Sequence, residues 1–186
     1  GVMLSDENLL SNINGIKSMF KDFESEDLVT LNILPWAHIY SITTELYYNL
    51  LEGNKIALSS GPDKFVRELF EVRPNVLYLV PKVLELIKTK LNNLDYPIIK
   101  YLIPEILKGL FGKKFKTIFI GGAKLDDSTF KFYKDNGINI CLGYGCSETS
   151  PMVSVNHISN PRDEDSVGKL LDDVIVKIVN EEILVS

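Results

Sequence analysis

The stretch Gly143-Tyr-Gly-Cys-Ser-Glu-Thr-Ser150 follows a short apolar run at residues 138–142 that is typical of a buried strand. It places two glycines, an aromatic ring, hydroxyls and a carboxylate in what the pattern predicts to be one loop. Glycine lets a backbone approach a ligand closely, and a tyrosine between glycines offers a flat face to a flat ligand. A hydroxyl beside a carboxylate suits a phosphate group and its magnesium ion. Each feature alone is weak, but a strand that runs into the pattern Y-G-x-S/T-E-T is much more specific.

Predicted strands alternate with predicted amphipathic helices along most of the chain. Apolar runs between turn residues predict strands at residues 1–4, 27–34, 55–58, 76–80, 115–120 and 138–142. Helical spacing of apolar residues, with caps and prolines, predicts helices after Ser5, at 39–51, after the turn 59–63, from Pro81, at 98–110 with an interruption near Pro104, and at 126–134. The segments 22–27 and 92–97 are predicted to be loops, and the segment 161–165 is polar.

The spacing also predicts which side chains these helices bury. The first helix is expected to bury Leu9, Leu10, Ile13 and Ile16. The helix after the turn 59–63 is expected to bury Phe65, Val66, Leu69 and Phe70. The helix that begins at Pro81 is expected to bury Val83, Leu84, Ile87 and Leu91.

This alternation predicts an α/β fold with a largely parallel sheet that is flanked by helices on both faces. The end of the chain differs, because the apolar runs 174–179 and 183–186 flank the turn 180–182 and predict a β-hairpin from a small β subdomain. We therefore expect an α/β core at residues 1–160 and the start of the β subdomain at residues 161–186.

Composition excludes several classes of protein. The net charge of −5 argues against binding to nucleic acid, which requires a basic surface. No run approaches the ~20 apolar residues of a membrane span, and no signal peptide is visible. Cys141 and Cys146 are too few and too close together for a disulfide framework, which favours a reduced, cytoplasmic location. With His157 they fit no zinc-ligand spacing, and we interpret all three as structural.

Four further stretches accompany the 143–150 motif in an order that resembles a known family. They are Gly1-Val-Met-Leu-Ser-Asp-Glu-Asn8, Leu34-Pro-Trp-Ala-His-Ile39, Gly121-Gly-Ala-Lys-Leu125 and the segment 166–178. The chain is thereby similar to the adenylate-forming, AMP-binding enzymes over essentially its whole length. The run T-S-P-M-V-S-V-N at 149–156 resembles the long-chain fatty-acid–CoA ligases most closely. The resemblance implies the fold of part of an AMP-binding N-terminal domain, with the nucleotide and acyl sites in the core.

The resemblance implies roles for residues of the 143–150 motif. It implies that Glu148 holds Mg²⁺, that Tyr144 stacks on adenine, and that the Ser147 hydroxyl donates to a phosphate oxygen. It also implies that Gly143 and Gly145 give the nucleotide close access to the backbone. Ser147 stands where the family commonly has threonine, which is a mild departure.

Residues outside the motif receive roles in the same way. The resemblance implies that Gly121, Gly122 and Ala123 shape the adenine and acyl pockets, although Lys124 replaces the family's usual proline. It implies that His38 lies beside the substrate carboxylate and contacts substrate more than it carries a proton. Trp36 is expected in the core or on the acyl side, and Gly168 is expected to be structural.

The function implied is that of a central fragment of an ATP-dependent long-chain fatty-acid–CoA ligase. The substrates expected are a fatty acid, ATP with Mg²⁺, and CoA, with the fragment itself inactive and prone to self-association. A lipid substrate also points to contact with a membrane surface, although no amphipathic anchor is evident. An acyl–acyl-carrier-protein synthetase and a non-catalytic nucleotide- or acyl-binding module remain open alternatives. A flavodoxin-like domain is a third, but the acidic cluster expected after the first strand is missing.

Overall fold

The computed structural model describes residues 1–21, 28–93, 97–158 and 166–186, apart from the side chains of residues 97–100. The helices are α1 Asp6–Met19, a π-helix Ser41–Tyr47 that continues as α2 Tyr48–Leu51, α3 Phe65–Val72, α4 Pro81–Asn92, α5 Pro97–Phe111, α6 Asp127–Asp135 and a 3-10 turn Ser147–Thr149. The strands are β1 Val29–Asn32, β2 Lys55–Leu58, β3 Val76–Leu79, β4 Thr117–Ile120, β5 Ile140–Gly145, β6 Met152–Val155, β7 Lys169–Leu170, β8 Val176–Val179 and β9 Glu182–Val185.

The strands form one seven-stranded sheet in the order β2-β1-β3-β4-β5-β6-β7, and β8 pairs with β9 as a separate hairpin. Strands β2, β1, β3, β4 and β5 are parallel, whereas β6 and β7 are antiparallel to their neighbours. The predicted α/β class and the terminal hairpin are therefore confirmed.

Helices cover both faces of the sheet. Alternate residues point to opposite faces, so Leu77 and Leu79 of β3 join the core beneath α3, α4, α5 and α6. Val76 and Tyr78 of the same strand pack on the other face, where Ile13 of α1 lies. Because both of their faces are buried, the central strands β3 and β4 consist of nearly continuous apolar runs.

Some predictions about the first half of the chain are wrong in detail. Residues 1–4 form no strand. Val66 and Phe70 of α3 are 37% and 54% exposed, whereas Phe65 and Leu69 are buried. Short α3 packs through the narrow stripe at 65 and 69, so its neighbours at 66 and 70 turn toward solvent.

The first helix begins where the sequence predicts. The Ser5 hydroxyl accepts a hydrogen bond from the Asn8 backbone, and the Asn8 side chain accepts one from the Ser5 backbone, which together form a capping box. Ile13 and Ile16 are buried as expected, whereas Leu10 is 48% exposed.

The predicted helix at 39–51 exists, but its middle is a π-helix. The Thr44 hydroxyl donates to the Tyr40 carbonyl at 2.6 Å, and the Asn49 amide donates to the Glu45 carbonyl at 2.6 Å. Side chains that bond to backbone carbonyls compete with the helical pattern, which accounts for the wider turn.

The predicted interruption near Pro104 is wrong, because α5 continues through it. A proline inside a helix destabilises it by about 3 kcal/mol. Ile103, Leu107 and Phe111 are buried on the same helix, and each such side chain contributes roughly 1.5–3 kcal/mol. Burial of these side chains therefore outweighs the missing hydrogen bond.

The strand before the motif is longer than predicted, since β5 extends through Gly145. The first three motif residues are therefore strand rather than loop. Strands β6 and β7 were not predicted, and β7 has only two residues.

Some predictions lie outside the described residues. They are the acidic loop 22–27, residues 94–96 of the loop 92–97, the polar segment 161–165 and the domain boundary near residue 160. Among the described helices, none is long and apolar enough to cross a membrane.

Candidate active site

A cleft of about 520 Å³ lies at the carboxyl-end edge of the sheet. Val80 after β3, Gly121 and Gly122 after β4, and the end of β5 line it, and His38 reaches it from the segment after β1. Open α/β sheets bind ligands at this edge. Parallel strands thus bring together residues that are distant in sequence.

The end of β5 shapes the cleft through its glycines. Tyr144 pairs with Ser154 of β6, and the register shifts between Tyr144 and Gly145. A Cβ atom on Gly145 would lie 1.7 Å from the Pro151 carbonyl oxygen, so only glycine fits there. The bulge leaves the Tyr144 side chain 43% exposed beside the cleft, where a flat ligand can reach its ring.

Ser147 and Glu148 lie on the 3-10 turn that follows β5, and both line the cleft. Hydrogen bonds from its own backbone N–H and from the Cys146 side chain lower the pKa of the exposed Glu148 carboxyl. Glu148 is therefore ionised at neutral pH, as a cation ligand must be. The Thr149 hydroxyl accepts from the Cys146 backbone at 3.0 Å and donates to the Pro151 carbonyl at 2.7 Å, so it holds the turn.

Asn12 of α1 anchors this turn, and sequence reasoning missed it. Its buried amide donates to the Met152 carbonyl at 2.7 Å and to the Thr149 carbonyl at 3.4 Å, and it accepts from the Met152 backbone at 3.3 Å. The signal was present, because Asn12 falls at helical spacing within the apolar stripe of Ile13 and Ile16.

His38 is exposed and lines the same cleft as Glu148. Its backbone N–H donates to the Pro35 carbonyl at 3.1 Å, and its carbonyl accepts from Ile42 at 3.0 Å. The turn before the π-helix therefore fixes the His38 backbone at the entrance to that helix.

Tyr40 forms the inner wall of the cleft and was also missed. Its hydroxyl donates to the Phe119 carbonyl at 3.0 Å. Burial raises the pKa of Tyr40 well above its ordinary value, so the phenol stays neutral. An enclosed pocket of about 30 Å³ lies behind it, lined mainly by apolar side chains that include Phe20, Tyr78 and Phe119.

A profile of the AMP-binding enzymes matches residues 1–185. The chain belongs to the AMP-binding enzyme family. It is 28% identical to the acyl-CoA ligase AFT1-1 of Alternaria alternata over 194 residues, covering 97% of this chain and 29% of that protein. It is 26% identical to a long-chain-fatty-acid–CoA ligase of Bacillus subtilis over 171 residues, covering 90% of this chain and 28% of that protein. The chain thus spans less than a third of the length of these relatives.

Solved structures of AMP-binding enzymes share the fold. The o-succinylbenzoate CoA synthetase of Bacillus subtilis, bound to a product analogue, superposes with a TM-score of 0.76 at 15% identity, covering 99% of this chain and 35% of that one. The same synthetase in complex with ATP and a magnesium ion gives a TM-score of 0.71, also at 15% identity. At this identity the likeness establishes the fold.

Among the residues expected to act in this AMP-binding enzyme, all but Ala123 line the cleft. The expected residues that line this cleft are His38, Gly121, Gly122, Gly143, Tyr144, Gly145, Ser147 and Glu148. Ala123 lines a second cleft of about 450 Å³ that shares Gly122, Gly143, Tyr144 and Gly145 with the first. The end of β5 therefore forms a ridge between two clefts. The individual roles of these residues stay predictions.

The site fits a magnesium ion that is held largely by a substrate. Among the described residues, no group of three or more His, Cys, Asp or Glu side chains could hold a metal ion. Glu148 offers one ionised carboxylate beside the Ser147 hydroxyl. Mg²⁺ accepts one or two carboxylates and completes its shell with phosphate oxygens and water, so this donor set suits a magnesium–nucleotide complex.

Glu45 of the π-helix carries a second carboxyl group of interest in this AMP-binding enzyme. It is fully buried, and burial raises its pKa from 4.5 to about 7. The Asn32 amide donates to it and also to the Leu34 carbonyl. Trp36 and Thr30 approach the carboxyl group without hydrogen bonds of normal geometry. The buried indole nitrogen of Trp36 thus lies near Glu45.

The other candidates differ in their surroundings. His157 stacks on Phe20 with ring centroids 5.6 Å apart. Burial raises the pKa of the Cys141 thiol to about 11, whereas Cys146 is exposed. Gly168 has a φ of 90°, and a Cβ atom there would lie 2.0 Å from the Val155 backbone. The surroundings of His157, Cys141 and Gly168 agree with the structural interpretation, whereas Cys146 lines the cleft beside Ser147, so its structural interpretation stays a prediction.

Proposed function

We propose that this chain is the nucleotide- and carboxylate-binding centre of an ATP-dependent acid–thiol ligase that acts on long-chain fatty acids. The observation that carries the proposal is that Tyr144, Ser147, Glu148 and His38, from two distant segments, line one cleft at the carboxyl-end edge of the sheet. Membership of the AMP-binding family and the names of the relatives support the nucleotide and the acid–CoA ligase chemistry.

In the proposed reaction, a carboxylate oxygen of the fatty acid attacks the α-phosphorus of ATP. The bond from that phosphorus to pyrophosphate breaks, which gives an acyl-adenylate. The thiol of CoA then loses its proton and attacks the acyl carbon, and AMP leaves with both bonding electrons. Both reactants of the first step are anions, so positioning and fixed charge are the main tasks of the protein.

The cleft residues would perform these tasks as follows. Tyr144 offers its face to the adenine, and Gly145 lets the nucleotide approach the backbone. Ser147 donates a hydrogen bond to a phosphate oxygen, and Glu148 holds the magnesium ion. His38 contacts the carboxylate substrate at the opposite wall. Bound magnesium would neutralise phosphate charge.

The finer choice of a long-chain fatty acid rests on two observations. The run at 149–156 resembles the long-chain ligases, and a long-chain-fatty-acid–CoA ligase is among the relatives.

The test is ATP–pyrophosphate exchange by the full-length protein with a series of acids from acetate to palmitate. Exchange that rises with chain length supports the proposal. Exchange only with short or aromatic acids would show that the substrate is another carboxylate and not a long-chain fatty acid. ATP binding without exchange would favour the alternative of a non-catalytic binding module. Thioester formation with acyl carrier protein but not with CoA would identify the acyl-carrier-protein synthetase.

A further inference from the structure

A third cleft, of about 560 Å³, lies at the amino-end edge of the sheet, opposite the candidate active site. Its lining residues include Arg73, just before β3, Lys116, just before β4, and Asn139, just before β5. Parallel strands begin on this edge, so it faces away from Tyr144 and Glu148.

The cleft is strongly basic although the chain carries a net charge of −5. Among the described residues that line it, Arg73, Lys108, Lys113 and Lys116 are cationic, and Glu105 is the one carboxylate. Glu105 is already paired with Lys108 at 2.8 Å. Lys114 is exposed beside them in the same loop. Positive charge is thus concentrated among the described residues of this cleft, although the protein as a whole is acidic.

The loop that carries these lysines is held in place by the buried side chain of Asn75. Its amide donates to the Lys114 carbonyl at 3.3 Å, and its backbone carbonyl accepts from Lys116 at 2.7 Å. The Phe115 ring stacks on Phe111 with centroids 4.5 Å apart. The backbone between 112 and 116 is therefore fixed, while the side chains of Lys113 and Lys114 are exposed.

Exposed apolar side chains flank the basic groups. Phe70 lines the cleft and is 54% exposed. Tyr101 and Leu102 of α5 are 85% and 47% exposed. They lie seven residues before Lys108 and Gly109 of the cleft, which places them two turns along the same face of α5. A soluble anion needs no such side chains, whereas a membrane interface accommodates aromatic rings next to cationic groups.

We propose that this basic surface, defined by Phe70, Arg73, Tyr101, Lys108, Lys113 and Lys114, docks the protein on an anionic lipid bilayer. The cationic side chains face lipid phosphates, and the exposed rings enter the headgroup region. Docking does not depend on the activity proposed above. It leaves the opposite edge, with the candidate active site, open to soluble ligands.

The test is flotation of this chain with vesicles of phosphatidylcholine alone and of phosphatidylcholine mixed with phosphatidylglycerol. We expect binding to the anionic vesicles that weakens as salt is raised. The triple variant Lys108→Gln, Lys113→Gln, Lys114→Gln should lower the partition coefficient by about 100-fold, the cumulative effect of three basic side chains at an anionic surface. The variant Tyr101→Ser should lower it several-fold, since it removes an interfacial ring.

The matched control removes the same charge elsewhere, through Lys64→Gln, Lys82→Gln and Lys177→Gln at exposed positions. This control should retain most of the binding, and the circular dichroism melting curves of both triple variants should match the parent. Equal losses in the two triple variants would overturn the proposal, because binding would then follow net charge alone. Equal binding to neutral vesicles, or binding of inorganic phosphate or heparin without vesicle binding, would also overturn it.

Discussion

The ring of Tyr40 lies directly against the backbone of Gly121. A Cβ atom on Gly121 would lie 2.9 Å from the Tyr40 ring, and the Tyr40 hydroxyl donates to the Phe119 carbonyl on the strand that Gly121 follows. Gly121 therefore lets the Tyr40 ring pack against the backbone, in addition to lining the cleft.

Gly121→Ala should destabilise the protein by about 1–3 kcal/mol, because the added methyl group overpacks the contact with Tyr40. Urea unfolding measures this change. In a double-mutant cycle, Tyr40→Leu should make Gly121→Ala less costly, since the ring it meets is gone. Gly109→Ala is the control, because nothing lies within 4 Å of that position in α5. Strictly additive effects of the two substitutions would contradict the contact.

Glu148→Gln in the full-length protein should lower ATP–pyrophosphate exchange by on the order of 10²–10³, comparable to the loss of one preorganised electrostatic contact. Glu148 is exposed, so the unfolding midpoint should stay unchanged. Glu181→Gln, an exposed change of the same charge in the hairpin turn, serves as the control. Near-normal exchange by Glu148→Gln would show that Glu148 does not hold the magnesium ion.

Tyr144→Ala should weaken ATP binding about ten-fold or more, since stacking of a base on an aromatic ring contributes about 1–3 kcal/mol. Tyr144→Phe should bind almost normally, because only the flat face is required. Isothermal titration with ATP and Mg²⁺ measures both affinities. If the Phe variant is as impaired as the Ala variant, the hydroxyl group rather than the ring makes the contact.

Glu45 should make stability depend on pH. Its pKa rises from 4.5 to about 7 on folding, so the folded state binds this proton more tightly than the unfolded chain. The contribution of Glu45 to the free energy of unfolding should therefore be highest below pH 4.5, fall as the pH rises toward 7, and level off above. The contribution of this group is at most about 3 kcal/mol.

Urea unfolding at several pH values checks this prediction against Glu45→Gln. The amide cannot ionise, so the variant should lose that part of the pH dependence. Its free energy of unfolding should increase relative to that of the parent as the pH rises. A parallel pH profile for parent and variant would show that Glu45 stays ionised in its buried position.

Asn12→Ala should destabilise the protein by about 1–3 kcal/mol, because it leaves the Met152 backbone groups buried without their partner. It should also weaken ATP binding, since Asn12 supports the turn that carries Glu148. Asn14→Ala on the exposed side of the same helix is the control. Urea unfolding and ATP titration separate the two effects. An unchanged affinity for ATP would show that Asn12 contributes to stability alone.

The sequence by itself determined the α/β class, the strands of the parallel core and the hairpin after residue 173. Local chemistry dictates these features, because a buried parallel strand requires an unbroken apolar run and a helix start requires a capping group such as Ser5. The 143–150 motif likewise marks its candidate ligand-binding residues by their types and spacing.

Only the tertiary structure decided which residues meet. His38 and Glu148 are separated by most of the chain, and the strand order of the sheet brings them to one cleft. Long-range packing also keeps α5 helical through Pro104 and leaves Phe70 exposed. The roles of Asn12, Tyr40 and Glu45 depend on partners far along the chain or on burial. The spacing of residues in the sequence reveals neither the distant partners nor the burial, since both arise when the sheet and its helices pack together.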